Sequence, residues 1–178
     1  LADWQWMLGV NLWGVIHGVR AFTPLLLAQD EGHIVNTASV AGLINPPNSA
    51  MYNVTKHAVV ALTETLFHDL GERGSKVGCS VLCPAYVPTG IADSERNRPP
   101  GLANPAAPKT PEQLAREEML RKAVRSGRLT AEDIGAAVLA AVKEDRFYIL
   151  THPRIKGAIQ ARMEAILEGR TPRNPPRP

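Results

Sequence analysis

The chain has 178 residues, 44% of them hydrophobic and 21% charged, enough for one domain with a good core and typical of a globular composition. Its net charge of +3, from 20 basic and 17 acidic residues, is too small to argue for a nucleic-acid partner. The basic residues of 116–128 are interspersed with Glu117 and Glu118 and read as a solvated helix face.

No uninterrupted apolar run reaches about 18 residues, so no membrane span is expected. Leu1 is not an initiator methionine, and LADWQW has none of the parts of a signal peptide. From Asp3 to about Ala28 the apolar residues Leu8, Leu12, Val15, Val19, Phe22 and Leu26 follow helical spacing, with Asp3 as N-cap. Gly9, Gly14 and Gly18 cost helix propensity, which calls for a compensating close backbone contact. Pro24 is placed to bend the last turn. Almost every face of this helix is apolar, the pattern of burial against a sheet on one side and a partner helix on the other. Asn11, in its middle, is either a satisfied core amide or a functional residue.

Residues 34–38 (Ile-Val-Asn-Thr-Ala) read as a strand opened by His33, itself a strand-edge residue and not a ligand. Ser39 stands at the strand's mouth, and the carboxyl end of a parallel strand is where open α/β sheets keep their ligands. The loop 40–48, with Gly42 and Pro46-Pro47, is expected to wall a pocket. Asn48 or Ser49 caps a helix running to about Leu70, with Ala58, Leu62, Leu66 and Leu70 on one stripe and Gly71 and Gly74 ending it. His57 and His68, eleven apart on it, make no metal pair, and no metal site is expected.

Tyr52 and Lys56 are four apart on this helix, so phenol and ammonium project the same way. A phenol of pKa about 10 that is to accept a proton near pH 7 must be lowered by roughly 3 units, about 4 kcal/mol. One ammonium at about 5 to 6 Å, at an effective dielectric of about 20, offers roughly 3 kcal/mol. A second positive charge would close the gap. In the opposite direction the neutral phenol is the acid, and Ser39 can donate a second hydrogen bond to a carbonyl oxygen that gains negative charge.

Val77–Leu82 reads as a second strand. Cys79 and Cys83 (CSVLC) have no metal or redox spacing and read as small buried apolar groups. Asn53-Val54-Thr55 matches the glycosylation triplet, but a glycan there would block the helix of Tyr52 and Lys56, so a cytoplasmic setting is expected. Residues 90–110, with Pro99, Pro100, Pro105 and Pro108, have the composition of a mobile lid or linker. Thr110-Pro111-Glu112-Gln113 starts a helix that ends near Gly127. Thr130-Ala131-Glu132-Asp133 starts another, with Ile134, Ala137, Val138, Ala141 and Val142 as its core stripe. Phe147–Leu150 reads as a third strand, Arg154–Leu167 as a last helix, and 169–178 as a disordered tail.

Strand-then-Ser39, a 13-residue interval, Tyr52-Asn53-Val54-Thr55-Lys56, Pro84-Ala85-Tyr86-Val87-Pro88-Thr89 and Val10-Asn11-Leu12-Trp13-Gly14 together resemble the short-chain dehydrogenase/reductase family. The resemblance implies NAD or NADP as cofactor and a small-molecule alcohol or carbonyl substrate. It makes Tyr52 the acid/base beside the cofactor, Ser39 the substrate orienter, and Lys56 the ribose ligand and phenol tuner. Asn11 would hold a water in the proton relay. Pro84, Val87 and Thr89 would lie on the nicotinamide side, Val87 presenting backbone groups to the carboxamide and Thr89 its hydroxyl to the carboxamide or a phosphate. Where the family usually has glycine after the proline this chain has Ala85, which forbids easy positive φ and narrows the space for the nicotinamide. The resemblance also makes 90–110 the substrate loop and the first helix part of a subunit interface in a homo-oligomer.

No glycine-rich phosphate-binding turn, G-x-x-x-G-x-G or G-x-G-x-x-G, occurs in the sequence. The expectation is therefore a partial Rossmann-type doubly wound α/β sheet: about three parallel strands with helices on both faces. Residues 1–168 would be the C-terminal part of one such domain in a longer protein, weak or inactive alone. The alternative is a non-enzymatic module that assembles through an open strand edge and helices 3–28 and 49–70. A hydrolase with Ser39 as nucleophile fits poorly, since no Gly-x-Ser-x-Gly elbow is present.

Overall fold

The structure is a computed structural model that describes residues 1–105 and 107–175. Three strands, β1 (His33–Thr37), β2 (Gly78–Leu82) and β3 (Tyr148–Ile149), form a parallel sheet in the order β1-β2-β3. The helices are α1 (Ala2–Leu8) and α2 (Gly14–Gln29), joined by a π-helical turn (Gly9–Trp13), then α3 (Ala50–Glu72), α4 (Pro111–Arg125), α5 (Ala131–Lys143) and α6 (Ile155–Leu167). Short 3-10 turns occupy Val40–Gly42, Gly90–Asn97 and Pro100–Leu102.

The strands bury both faces, as parallel strands between helices must. Ile34, Cys79 and Val77 pack with Leu66 and Leu70 of α3, and Ala38, Val81 and Cys83 with Val59 and Val60 of the same helix. On the opposite face Val35, Leu82 and Ile149 pack with Ile134, Val138 and Ala141 of α5. The Asn36 amide donates to Thr63 Oγ1 at 3.1 Å, which gives this buried polar side chain a partner on α3. The partial doubly wound sheet is thus present, with α3 and α5 on its two faces. Within this sheet β1 pairs only with β2, leaving its other edge open.

Three expectations about the first helix are corrected. Asp3 is not its cap: Leu1 holds that position, and the Asp3 carboxylate is spent on Arg98 (2.6 Å) and Asn104 (2.9 Å). A Cβ added at Gly9, Gly14 or Gly18 would meet nothing within 4 Å, so no close contact offsets their helix cost. None of the helix's residues is buried: Leu12, Val15, Val19, Leu26 and Leu27 lean on the α3 core, while Val10, Trp13, Phe22 and Leu25 face outward. By length and composition alone Ala2–Gln29 could also cross a membrane, although no unbroken apolar run is present.

The other helices follow their sequence signals except at the start of α3, where Ser49 stands at the cap position but makes no side-chain cap bond, its hydroxyl donating to the Pro47 carbonyl instead. Gly74, at φ +63, supplies the left-handed residue beyond α3, and Ser75 N–H donates back to Leu70. Thr110/Gln113 and Thr130/Asp133 close reciprocal capping boxes on α4 and α5. The region 90–104 is more structured than its prolines suggest. The Arg98 side chain, 6% exposed, bonds Asp3, Glu95, Asn104 and the Leu102 carbonyl and lies over the Trp6 ring. Of the tail, 170–175 carries no regular structure and 176–178 lie outside the described residues.

Loop 40–48 is split. Val40, Ala41 and Ile44 are core, and Gly42 lies against the backbone of α3, where a Cβ would come within 2.6 Å of the Lys56 carbonyl. Gly42→Ala is therefore expected to cost about 1–3 kcal/mol by overpacking. Urea denaturation of the two proteins measures it, and an unchanged midpoint would contradict this packing.

Candidate active site

Ser39 is the residue at which the chain leaves β1 and enters the turn Val40–Gly42. Its Oγ accepts from Ala41 N–H at 3.2 Å and donates to the Pro84 carbonyl at 3.4 Å. Backbone pairing continues past the strand ends, with Ala38 N–H donating to Leu82 and Val40 N–H to Pro84 (3.0 Å). Ser39 and the β2 exit are therefore held together by an extension of the sheet itself.

Tyr52 and Lys56 lie on the first turns of α3, on the side facing β1. Lys56 is 9% exposed, and its Nζ donates to the Thr37 carbonyl at 3.0 Å and lies 5.6 Å from the centre of the Tyr52 ring. Burial lowers the Lys56 pKa below its ordinary 10.5, opposed by the Cys83 thiol. Burial raises the Tyr52 phenol above 10.0, the Ser39 hydroxyl pulls it down, and Tyr86 adds to the rise. Ser39, Tyr52 and Lys56 thus converge, and the Tyr52 phenol keeps its proton at neutral pH. Cys83, fully buried, is pushed up to about 12 by desolvation and stays a neutral thiol.

Asn11 sits in the π-helical turn. Its amide nitrogen donates to Met7 Sδ at 3.0 Å and to Thr55 Oγ1 at 3.3 Å, and Thr55 in turn donates to the Tyr52 carbonyl at 2.9 Å. Asn11 therefore reaches the Tyr52 backbone through a fully buried threonine. A single π turn inside an α-helix interrupts the regular ladder of backbone bonds and often marks a functional position.

Pro84 lies in contact with Ser39, whereas Val87, half-buried, and Thr89, exposed, lie farther along the exit loop. Among the described residues no hydrogen bond ties Val87 or Thr89 to Ser39, Tyr52 or Lys56. Thr89 stands at the N-cap of Gly90–Asn97 with no side-chain cap bond. Ala85 does not have positive φ, and it packs against the cluster of Val40, Ile44, Ile155 and Ala158. Its methyl is spent on the core.

A family profile described as short chain dehydrogenase matches residues 1–100, a span that includes every candidate from Asn11 to Thr89. The chain belongs to the short-chain dehydrogenase/reductase family. A short-chain dehydrogenase/reductase from Burkholderia phymatum, solved in complex with NAD, superposes with a TM-score of 0.94 at 56% identity, over 99% of this chain and 63% of that one. The CLA biosynthesis dehydrogenase/reductase of Lactiplantibacillus plantarum is 29% identical over 96% of this chain and 60% of its own length. The C alpha-dehydrogenase of Sphingobium is 29% identical over 96% of this chain and 54% of its own. The chain thus spans between half and two thirds of these family members. The relatives bear the names of dehydrogenases and reductases, and the assembly-module alternative is not favoured.

Two contributors escape a reading of the sequence. Thr55 had a usable signal, three residues after Tyr52 on the same helix, but was read only as part of a glycosylation triplet. His152, whose ring bonds the Ala85 amide, had none, since 67 residues separate the partners.

Because burial raises the phenol, the folded chain holds the Tyr52 proton more tightly than the unfolded one. That contribution to stability is complete below about pH 10 and is lost as pH rises through the folded value. Ultraviolet titration should show a phenol ionising above pH 10 that Tyr52→Phe removes. Phenolate absorbance from Tyr52 between pH 6 and 8 would contradict this electrostatic account.

Proposed function

We propose that the chain carries the acid/base machinery of an NAD- or NADP-dependent oxidoreductase that moves a hydride between a nicotinamide and a small alcohol or ketone. The observation that supports this most is the convergence of the Ser39 hydroxyl, the Tyr52 phenol and the Lys56 ammonium in a chain of this family.

In reduction, Ser39 Oγ and the Tyr52 phenol donate to the substrate carbonyl oxygen, and Tyr52 gives up its proton as negative charge collects there. The Lys56 ammonium, 5.6 Å from the centre of the ring, stabilises the phenolate left behind by roughly 3 kcal/mol at an effective dielectric of about 20. Asn11, through the interrupted backbone of its turn, holds the water that returns the proton. In oxidation Tyr52 must start as the base, and the buried ammonium alone does not supply the roughly 4 kcal/mol needed near pH 7.

The residues present fit a nicotinamide dinucleotide. Lys56 Nζ has three donors and spends one on Thr37, which leaves two for a ribose diol. The Thr89 hydroxyl makes no cap bond, and the Ala85 methyl is turned into the core. When bound, the nicotinamide supplies the hydride in reduction and a second positive charge beside the phenol in oxidation. Pro84 and Val87 contribute the wall and backbone on its side. The 178 residues contain no glycine-rich turn to grip a pyrophosphate, so this chain alone holds the dinucleotide weakly. Residues 90–110, with Arg98 as an anchor, serve as the substrate loop.

The outer face of α1 and α2, with Val10 62%, Trp13 51%, Phe22 61% and Leu25 62% exposed, supports a homo-oligomer in which a second copy covers it. Two buried free thiols, Cys79 and Cys83, support a cytoplasmic setting.

NADH fluorescence titration of the chain should give a dissociation constant no tighter than about 1 mM, and tight binding would contradict the weak grip. Whatever carbonyl reduction is measurable at high NADH should fall by about 10² to 10⁴ in Tyr52→Phe, while unchanged turnover would remove Tyr52 from the chemistry. Light scattering is expected to show an oligomer that Trp13→Glu with Phe22→Glu dissociates. A wild-type monomer would refute the assembly.

A further inference from the structure

The Pro84–Ala85 peptide joins two features of the site that are far apart in sequence. Its carbonyl, on Pro84, accepts from Val40 N–H at 3.0 Å and from the Ser39 hydroxyl at 3.4 Å. Its N–H, on Ala85, donates to Nδ1 of His152 at 3.1 Å. Carbonyl and N–H belong to one rigid plane and, in a trans peptide, point in opposite directions. Any rotation that takes the N–H away from His152 also swings the carbonyl away from Ser39 and Val40.

We propose that His152 is a positioning residue of the site, acting on Ser39 through this peptide. The donor is a backbone N–H, so Nδ1 must be bare and the ring neutral with its proton on Nε2. The Thr151 hydroxyl, 2.9 Å from the same nitrogen, donates to it as well when that nitrogen is bare. Burial lowers the His152 pKa below its ordinary 6.5 and favours the neutral ring, against the opposing pull of the Tyr86 carbonyl. Tyr86 is fixed as well: its carbonyl lies where a Cβ on Gly127 would come within 2.5 Å. The loop leaving β2 is thus held on three sides, by the Ser39–Val40 backbone, by the imidazole beyond β3, and by Gly127 after α4. Besides the Ser39 hydroxyl itself, the imidazole is the contact made through a side chain, and it is open to substitution without altering the backbone or Ser39.

The inference rests on the reading of Ser39 as the substrate-orienting hydroxyl, but its test needs neither substrate nor cofactor. In the ¹⁵N-labelled chain the His152 ring should show a bare Nδ1, with a scalar coupling across the Ala85 N–H to Nδ1 bond. His152→Leu should speed hydrogen exchange at both Ala85 and Val40 by about tenfold, as expected for one lost hydrogen bond, and should shift the Ala41 amide that donates to Ser39 Oγ. His152→Asn, whose side-chain oxygen falls near the place of Nδ1, should restore all three, and His152→Gln should not. A protonated Nδ1, or an Ala85 released with Val40 and Ala41 unmoved, would overturn the proposal. Should His152→Leu not fold, the ring signature and the coupling in the wild-type chain decide it. Turnover unaffected by Tyr52→Phe would instead sink the catalytic reading and leave these measurements standing.

Discussion

A buried ammonium tied to the carbonyl at the end of a strand is the constraint on which the rest of the site depends. Lys56 loses most of its hydration on entering the space between α3 and β1, and the Thr37 carbonyl at 3.0 Å is the acceptor that offsets the loss. That bond fixes how far along β1 the first turns of α3 sit, and so where the Tyr52 ring stands relative to Ser39. Gly42 permits it: with any side chain at that position the Lys56 backbone could not approach the turn after Ser39. The same burial lowers the lysine pKa and raises that of the phenol. Both shifts oppose ionisation, so the Tyr52 phenol keeps its proton at neutral pH.

The parallel sheet does the remaining positioning. Its ladder does not stop at the assigned strand ends: Ala38 to Leu82, Val40 to Pro84 and Cys83 to Ile149 extend it toward the site. Exit loops held by such bonds keep their register without relying on loop sequence, which is how Ala85 is accommodated where glycine was expected. Its methyl joins Val40, Ile44, Ile155 and Ala158. The substitution costs no backbone strain because the residue does not adopt positive φ.

Local signals were legible in the sequence. The two capping boxes, the three strands, and the stripe Ile134, Ala137, Val138, Ala141 and Val142 on α5 all follow from patterns spanning a few residues. Ser39, Tyr52 and Lys56 were legible for the same reason, since strand end and helix face are local properties. Pairings across long separations were not. Asp3 looks like a cap until Arg98, 95 residues on, claims its carboxylate. Residues 90–104 look mobile until that arginine and Trp6 are brought together. Gly9, Gly14 and Gly18, in the π-helical turn and α2, suggested a close neighbour because a helical stretch with three glycines and apolar sides has no reason to be left open within one chain. The structure leaves it open, and the cost is visible as Val10, Trp13, Phe22 and Leu25 facing water.

The contrast between these two regions bears on how such a site can be divided. Every hydrogen bond described for Ser39, Lys56 and Asn11 is made by a residue between Met7 and Pro84, and the exit loop adds His152. The groups that would move the proton are therefore held by contacts internal to this chain and buried within it. The groups that grip a pyrophosphate are by their chemistry backbone amides of a glycine-rich turn at a helix start, and no such sequence occurs in these 178 residues. The contacts that orient Ser39, Lys56 and Asn11 do not draw on such a turn.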